Sequence, residues 1–246
     1  MFHNNIEIKE GAFLISDAHY SSKRPQLLEF IKDIHSKKFL PTQLILFGDI
    51  FDTLFGGVKI TIERNAQMIR LINDISLDIE VIYLEGNHDF NLKDIFCNTK
   101  VFSISQQPLA CFYQDKKVFL AHGDFGSDFL YKLYTSIVRS RVTLAILNFI
   151  NICVANRILE KLDSYLDKKN DCKELEYFKE FSANRLNSKF KCDYFIDGHF
   201  HQNKSIELEN FNYINLGAFA CNQRYFIVKS VKDKEFVEEK IFSKET

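Results

Sequence analysis

Five short stretches concentrate the residues that could do chemistry: Asp17-Ala18-His19, Gly48-Asp49-Ile50-Phe51-Asp52, Gly86-Asn87-His88-Asp89, His122-Gly123-Asp124 and Gly198-His199-Phe200-His201. Together they hold five of the seven histidines of the 246-residue chain. Carboxylates, amide-type oxygens and several imidazoles suit borderline divalent ions such as Mn, Fe, Zn or Co, whereas calcium prefers oxygen alone. Two such ions about 3.5 to 4 Å apart can share a hydroxide nucleophile and bind the oxygens of a phosphoryl group for in-line displacement. The reaction class that follows is hydrolysis of a phosphoester or phosphoanhydride.

These stretches need elements that bring them together. Each follows an apolar, β-branched or aromatic run (Phe13 to Ile15, Leu44 to Phe47, Val81 to Leu84, Val118 to Leu120, Tyr194 to Ile196) that reads as a buried strand. In layered α/β folds the loops beyond the carboxyl ends of the strands form the functional crevice. Between the strands, 25–38 and 61–76 have helical periodicity, with Pro25 suited to a first turn and Thr61 to an N-cap. Strands resume after the last motif at Tyr213 to Leu216 and Tyr225 to Val228. From Ser127 to Phe190 there is no glycine or proline, and the stretch reads as three helices. Its middle, Val142 to Val154, is apolar nearly all round and flanked by Arg139, Arg141, Arg157 and Lys161, so something must cover it. The expected fold class is α/β, with a core of 1–125 and 191–246 and a helical insertion at 126–190 forming a lid.

Composition bounds the alternatives. With 46% hydrophobic residues the chain can bury a full core, and 32 basic against 33 acidic residues leave no overall electrostatic footprint for nucleic acid. The six cysteines are far apart and form no C-x-x-C pair, so they are expected to be reduced core residues. The first residues show no basic segment followed by an apolar one, and no apolar run reaches the ~18 residues of a spanning helix. A cytoplasmic location is expected.

The ordered set D-x-H, GD-x-x-D, GNHD, HGD and GHxH, from Asp17 to His201, resembles the calcineurin-like metallophosphoesterase superfamily. That resemblance implies two packed β-sheets flanked by helices. It implies one metal on Asp17, His19 and His201, a second on Asn87, His122 and His199, and Asp49 bridging both. His88 is then the catalytic group facing the substrate phosphate, with Asp52 orienting it; a carboxylate partner would raise the histidine's pKa. Asp89 and Asp124 are expected to accept hydrogen bonds behind the ligands. Asn215-Leu216-Gly217 resembles the superfamily's closing loop, where a glycine permits close approach. His3 and His35 lie outside every motif and are expected at the surface.

A helical insertion between HGD and GHxH, greasy and edged with arginines, is similar to that of the UDP-2,3-diacylglucosamine diphosphatases of lipid A biosynthesis, as is the closing Leu216-Gly217-Ala218-Phe219. This implies a lid that shelters acyl chains and cleavage of the pyrophosphate to UMP and 2,3-diacylglucosamine 1-phosphate. The cofactors implied are two divalent transition-metal ions, Mn2+ foremost, with Fe or Zn also fitting. The partners implied are a nucleotide-linked lipid and the anionic cytoplasmic face of the inner membrane, met by Arg139, Arg141 and Arg157, with Arg185 near phosphate or sugar. The chain departs from the best-known branch, which carries arginine in GN-x-D and glutamate in GD-x-x-E where His88 and Asp52 stand here. A DNA-repair nuclease of the same superfamily is the alternative enzyme. It would need a nucleic-acid surface, yet no basic stripe is present and only 45 residues follow His201. A non-enzymatic scaffold would have lost ligands, and none is missing.

Overall fold

The computed structural model describes residues 6–125, 129–166, 168, 172–187, 189–230 and 235–243. The expectation for His3 and the start of the insertion at 126–128 lie outside the described residues. In chain order the elements are β1 (Ile6–Glu7), β2 (Phe13–Ile15), α1 (Gln26–His35), β3 (Gln43–Leu46), β4 (Leu54–Phe55), α2 (Lys59–Arg64), α3 (Ala66–Asp78), β5 (Glu80–Leu84), β6 (Asp89–Phe90), β7 (Lys100–Phe102), β8 (Leu109–Tyr113) and β9 (Lys116–Ala121). The helices α4 (Phe129–Val138), α5 (Arg141–Cys153), α6 (Arg157–Leu166) and α7 (Phe178–Leu186) follow. The chain ends with β10 (Tyr194–Asp197), β11 (Lys204–Glu207), β12 (Asn212–Asn215), α8 (Phe219–Asn222), β13 (Arg224–Val228) and β14 (Val237–Ile241).

Side chains alternate across a strand, and here both faces of the central strands find apolar cover. The first sheet runs β14-β13-β2-β3-β5-β7, with β2, β3, β5 and β7 parallel. On its outer face Phe13, Ile15, Leu44, Leu46, Val81 and Tyr83 pack against α1 and α3. On its inner face Leu14, Ile45, Phe47, Ile82 and Leu84 meet Cys111, Val118, Leu120, Ile196 and Ile214 of the second sheet, β1-β8-β9-β10-β12-β11. Helix α1 buries Leu27, Phe30, Ile31 and Ile34, the i, i+3, i+4, i+7 stripe of an amphipathic helix. Each such side chain contributes about 1.5–3 kcal/mol by leaving water. The strands preceding all five motifs are parallel within their sheets, β2, β3 and β5 in one and β9 and β10 in the other. Their carboxyl ends therefore lie along one edge of the sandwich.

Several expectations need correction. The helix expected over 61–76 is broken at Asn65, whose side-chain amide donates to the carbonyls of Thr53 and Thr61 at 3.0 and 2.8 Å and competes with the helical ladder. Thr61 is thus not an N-cap; it lies inside α2 and its hydroxyl donates to Val58 O at 2.8 Å. Pro25 sits at the N-cap of α1, one position before the helix. The insertion has four helices among the described residues, not three. Ala155 and Asn156 adopt φ of 53° and 64° and turn α6 away from α5 by 104°. Buried Asn151 secures that corner, its Oδ1 accepting from Leu159 N at 3.1 Å. The last helix of the insertion, α7, packs Phe178 and Leu186 on Phe195 and Tyr213 of the second sheet. The cysteines are not all reduced, because Cys172 and Cys221, 49 residues apart, form a disulfide, and Cys97 and Cys153 are exposed. Linear spacing does not report which cysteines converge in space.

On α5 only Leu144 and Asn151 are buried, while Val142, Phe149 and Ile152 are 69%, 67% and 60% exposed. Leu144 and Leu159 anchor α5 and α6 against Val58 and Phe90. Among the described residues no single helix is long and apolar enough to cross a membrane.

Candidate metal centre

Asp17, His19, Asp49, His199 and His201 all have left-handed backbone, with φ of 50°, 45°, 49°, 62° and 59°. For residues with a Cβ this conformation is uncommon and costs on the order of 1–3 kcal/mol each, and it concentrates where function demands it. Here it turns the side chains at the strand ends toward a common point. Gly48, at φ 77°, permits the approach: a Cβ there would lie 2.7 Å from His122 Nδ1 and 2.8 Å from Gly86 N.

Three groups of donors result among the described residues. Asp17, His19 and His201 form one, Asp49, His122 and His199 the second, and His19, Asp52 and His88 a third that shares His19 with the first; within each the ligand-type atoms lie within 4.8 Å of one another. His201 Nε2 is 3.0 Å from Asp17 Oδ1, and the His19 and His201 rings are 5.7 Å apart. In the second group His122 Nε2 lies 3.5 Å from Asp49 Oδ2 and 3.2 Å from Asn87 Oδ1, and the His122 and His199 rings are 5.0 Å apart. His122 Nδ1 sits 2.7 Å from Phe47 O, a carbonyl that only an N–H can satisfy. Nε2 then faces two oxygen acceptors, a position that a proton or a bound cation fills. The donor set fits a pair of divalent transition-metal ions.

Electrostatics favour positive charge at this point. Burial pushes the Asp17 and Asp49 carboxyls up, but the imidazoles around them, His201 first for Asp17 and His122 first for Asp49, hold both below the usual carboxylate range. Burial pulls His122 down, yet Asp49, Asp124 and Asp17 hold it well above the ordinary histidine value. Burial, followed by the charge of His122, lowers His199 to about 3, leaving a neutral imidazole ready to ligate.

The supporting contacts are specific. Asp89 accepts from Asp49 N, Ile50 N, Gly86 N and the Tyr83 hydroxyl at 3.0, 2.6, 3.0 and 2.7 Å, pinning two motif loops together. Burial and the neighbouring Asp49 charge push its carboxyl up to about 7. Asp124 pairs with Arg139 at 3.1 Å. The Asn215 side chain donates to Asp197 Oδ1 and Gly198 O at 2.8 and 2.6 Å and accepts from Gln202 N at 2.7 Å. It thereby fixes the loop of His199 and His201, where sequence reasoning assigned this segment only a backbone role. Gln107 was missed altogether: its Oε1 accepts from His122 N at 2.6 Å, and no local pattern marks it.

Asp52, expected to orient His88, meets that ring through its main chain, and its carboxylate turns to another histidine. His88 Nδ1 lies 3.0 Å from the main-chain oxygen of Asp52, while the Asp52 carboxylate faces His19 Nδ1 at 3.3 Å and Arg24 at 3.9 Å. Asp52 N donates to Tyr20 O, which holds this stretch beside the Asp17–Tyr20 loop and sends its side chain to His19. Burial raises the Asp52 carboxyl, but His19 and Arg24 bring it below the usual range. His88 is buried, with its ring 4.8 Å from that of His19.

Of the four arginines expected at substrate or membrane, two are tied to protein groups beside the centre and two lie at the surface. Arg139 binds Asp124 and Gly86 O, and Arg185 binds Asp197 at 2.7 Å and Gly123 O at 2.7 Å. Arg141 pairs with Asp94 at the surface, and Arg157 is exposed beside Glu160 and Lys161. A cavity of about 560 Å³ opens between the core and α6, lined by Tyr20, Ser21, Asp52, Thr53, Glu160 and Asp163 among others.

This fold and site define a metal-dependent phosphohydrolase. Residues 13–203 match the Calcineurin-like phosphoesterase family model, and the chain belongs to that family. It is similar to the UDP-2,3-diacylglucosamine hydrolase of Neisseria meningitidis serogroup A / serotype 4A (strain DSM 15465 / Z2491), at 24% identity over 216 residues, 84% of this chain and 88% of the relative. The protein of that name from Vibrio vulnificus (strain CMCP6) is 24% identical over 195 residues, covering 76% and 79%. Among solved structures, Yfce, a phosphoesterase from E. coli, covers 94% of this chain and 99% of its own at 12% identity and a TM-score of 0.47. An archaeal phosphodiesterase covers the same shares at 17% identity and a TM-score of 0.46.

Proposed function

We propose that the protein hydrolyses the pyrophosphate of UDP-2,3-diacylglucosamine, releasing UMP and 2,3-diacylglucosamine 1-phosphate. The observation that carries the reading is the juxtaposition of a phosphohydrolase centre with uncovered apolar surface. The α4–α5 junction donates through Arg139 to Gly86 O, in the loop of Asn87 and His88, and α5 beyond it exposes Val142, Ile146, Phe149 and Ile152. The relatives named for this substrate, 24% identical over most of the chain, support it.

In this scheme Asp17, His19 and His201 would hold one divalent ion and Asn87, His122 and His199 the second, with Asp49 shared between them. When bound, the ions supply Lewis-acid stabilisation of phosphoryl charge and make water acidic enough to serve as nucleophile near neutral pH. Mn2+ is our choice for the cell, although Fe and Zn accept the same donors. His88, anchored at Nδ1 by the Asp52 carbonyl, turns Nε2 to the phosphate, where it stabilises negative charge or delivers a proton to the leaving oxygen. The α4–α6 helices act as a lid: the open face of α5 receives acyl chains and rests on an anionic membrane at its cytoplasmic face, with Arg141 and Arg157 at the rim.

The test is hydrolysis of UDP-2,3-diacylglucosamine in detergent with added Mn2+, following UMP, beside an Asp49→Asn control. Rapid release that the control lacks is the expected result. A protein that is inert on this lipid yet cleaves bis(p-nitrophenyl) phosphate keeps the phosphoesterase site and loses the substrate assignment, and single-stranded DNA becomes the next substrate to try.

A further inference from the structure

The helical insertion reaches the site through two arginines planted in the same way. Arg139, at the α4–α5 junction, sends Nη2 to Asp124 Oδ2 at 3.1 Å and to Gly86 O at 3.0 Å, with its guanidinium 5.4 Å from the Phe90 ring centre. Arg185, on α7, sends Nη1 to Asp197 Oδ2 and Nη2 to Gly123 O, both at 2.7 Å, and lies 4.5 and 4.8 Å from the Phe125 and Phe200 ring centres. Their side chains are only 11% and 14% exposed. Each arginine thus joins a carboxylate flanking one motif to the glycine carbonyl of another. Gly86 precedes Asn87, Gly123 and Asp124 follow His122, and Asp197 stands two residues before His199.

The loop of Asp17 is held differently, by the core itself: Phe219 N and Ala220 N of α8 donate to Ser16 O and Asp17 O. His201 is steadied by the bond from Gln202 N to Asn215, while the Gln202 side chain donates to Lys173 O and accepts from Leu175 N of the insertion. The hydrogen bonds of these two arginines therefore fall on the loops of Asn87, His122 and His199 and not on the Asp17 loop. We propose that Arg139 and Arg185 are positioning residues that make occupancy of the second ion position depend on how the insertion is seated. This rests on the dinuclear reading above.

The test is Mn2+ titration of the full-length protein by calorimetry and electron paramagnetic resonance. Arg139→Gln and Arg185→Gln should keep one ion at wild-type affinity, weaken the other about 10- to 100-fold, as loss of a group behind metal ligands does, and abolish the spin-coupled signal. Arg139→Lys should restore part of the lost affinity. Since Arg185→Gln strands the buried Asp197 carboxylate, the double variant Arg185→Gln/Asp197→Asn removes both charges and guards against simple unfolding. Folded variants with two wild-type affinities, or with both affinities reduced alike, would overturn the proposal. A wild-type protein that binds fewer than two ions would remove the dinuclear reading beneath it.

Discussion

At the scale of single residues, function turns on where lone pairs and protons point. His122 offers Nε2 to the centre because Nδ1 is committed to Phe47 O, and Asp49 is aimed by the His88 N–H at 2.8 Å. Replacing His122 with alanine or Asp49 with asparagine is expected to abolish turnover while circular dichroism and the melting transition stay close to wild type; wild-type rates in either would sink the two-ion scheme. His88→Ala should slow turnover by roughly 10²- to 10⁴-fold with two ions still bound, and metal analysis that finds one missing would show that His88 is a ligand instead. Asp52 yields a prediction that its motif position does not. Because its carboxylate faces His19, Asp52→Asn should weaken the ion on Asp17, His19 and His201, whereas a pure loss of rate with both ions tight would return the carboxylate to His88.

Among elements, the insertion separates structure from surface. Asn151 is buried in α5 and joins it to α6 by accepting from Leu159 N, a bond that caps α6 across the turn. Asn151→Ala should lower stability by about 1–2 kcal/mol, read from denaturant unfolding, since the Leu159 N–H loses its partner. Phe149, 67% exposed on the same helix, should behave in the opposite way. Phe149→Asp is expected to leave stability and cleavage of a small soluble diester unchanged while reducing turnover of the lipid in anionic vesicles; equal rates on both substrates would separate α5 from lipid capture. These helices were legible in part. Apolar periodicity marked α5, but the corner at Ala155 and Asn156 carries neither glycine nor proline, and its left-handed turn depends on side-chain bonds that Asn151 makes only after folding. The packing of α7 was not legible for a related reason. Which face of α7 is buried is decided by Phe195 and Tyr213, one of them nearly thirty residues downstream.

For the molecule as a whole, two sheets meet at an edge where every motif loop converges, and the Cys172–Cys221 bond ties the segment before α7 to α8, beside the Asp17 loop. Closing a chain segment of 49 residues is worth about 4 kcal/mol in loop entropy on the chain-entropy model. Cys221→Ser should therefore lower the melting temperature measurably, and thiol titration of the denatured, unreduced protein should count four of the six cysteines. A count of six would exclude the bond. What the sequence determined alone is the chemistry and the frame: strand runs are short-range patterns of apolar residues, and the motif residues directly follow them, so local order suffices to place ligand types at strand ends. Tertiary structure decided the rest. The partner of the Asp52 carboxylate, the pairing of cysteines 49 residues apart and the burial of Arg139 and Arg185 beneath the site are contacts between segments remote in sequence. Such contacts are selected by the packing of whole layers, which no local window of residues encodes.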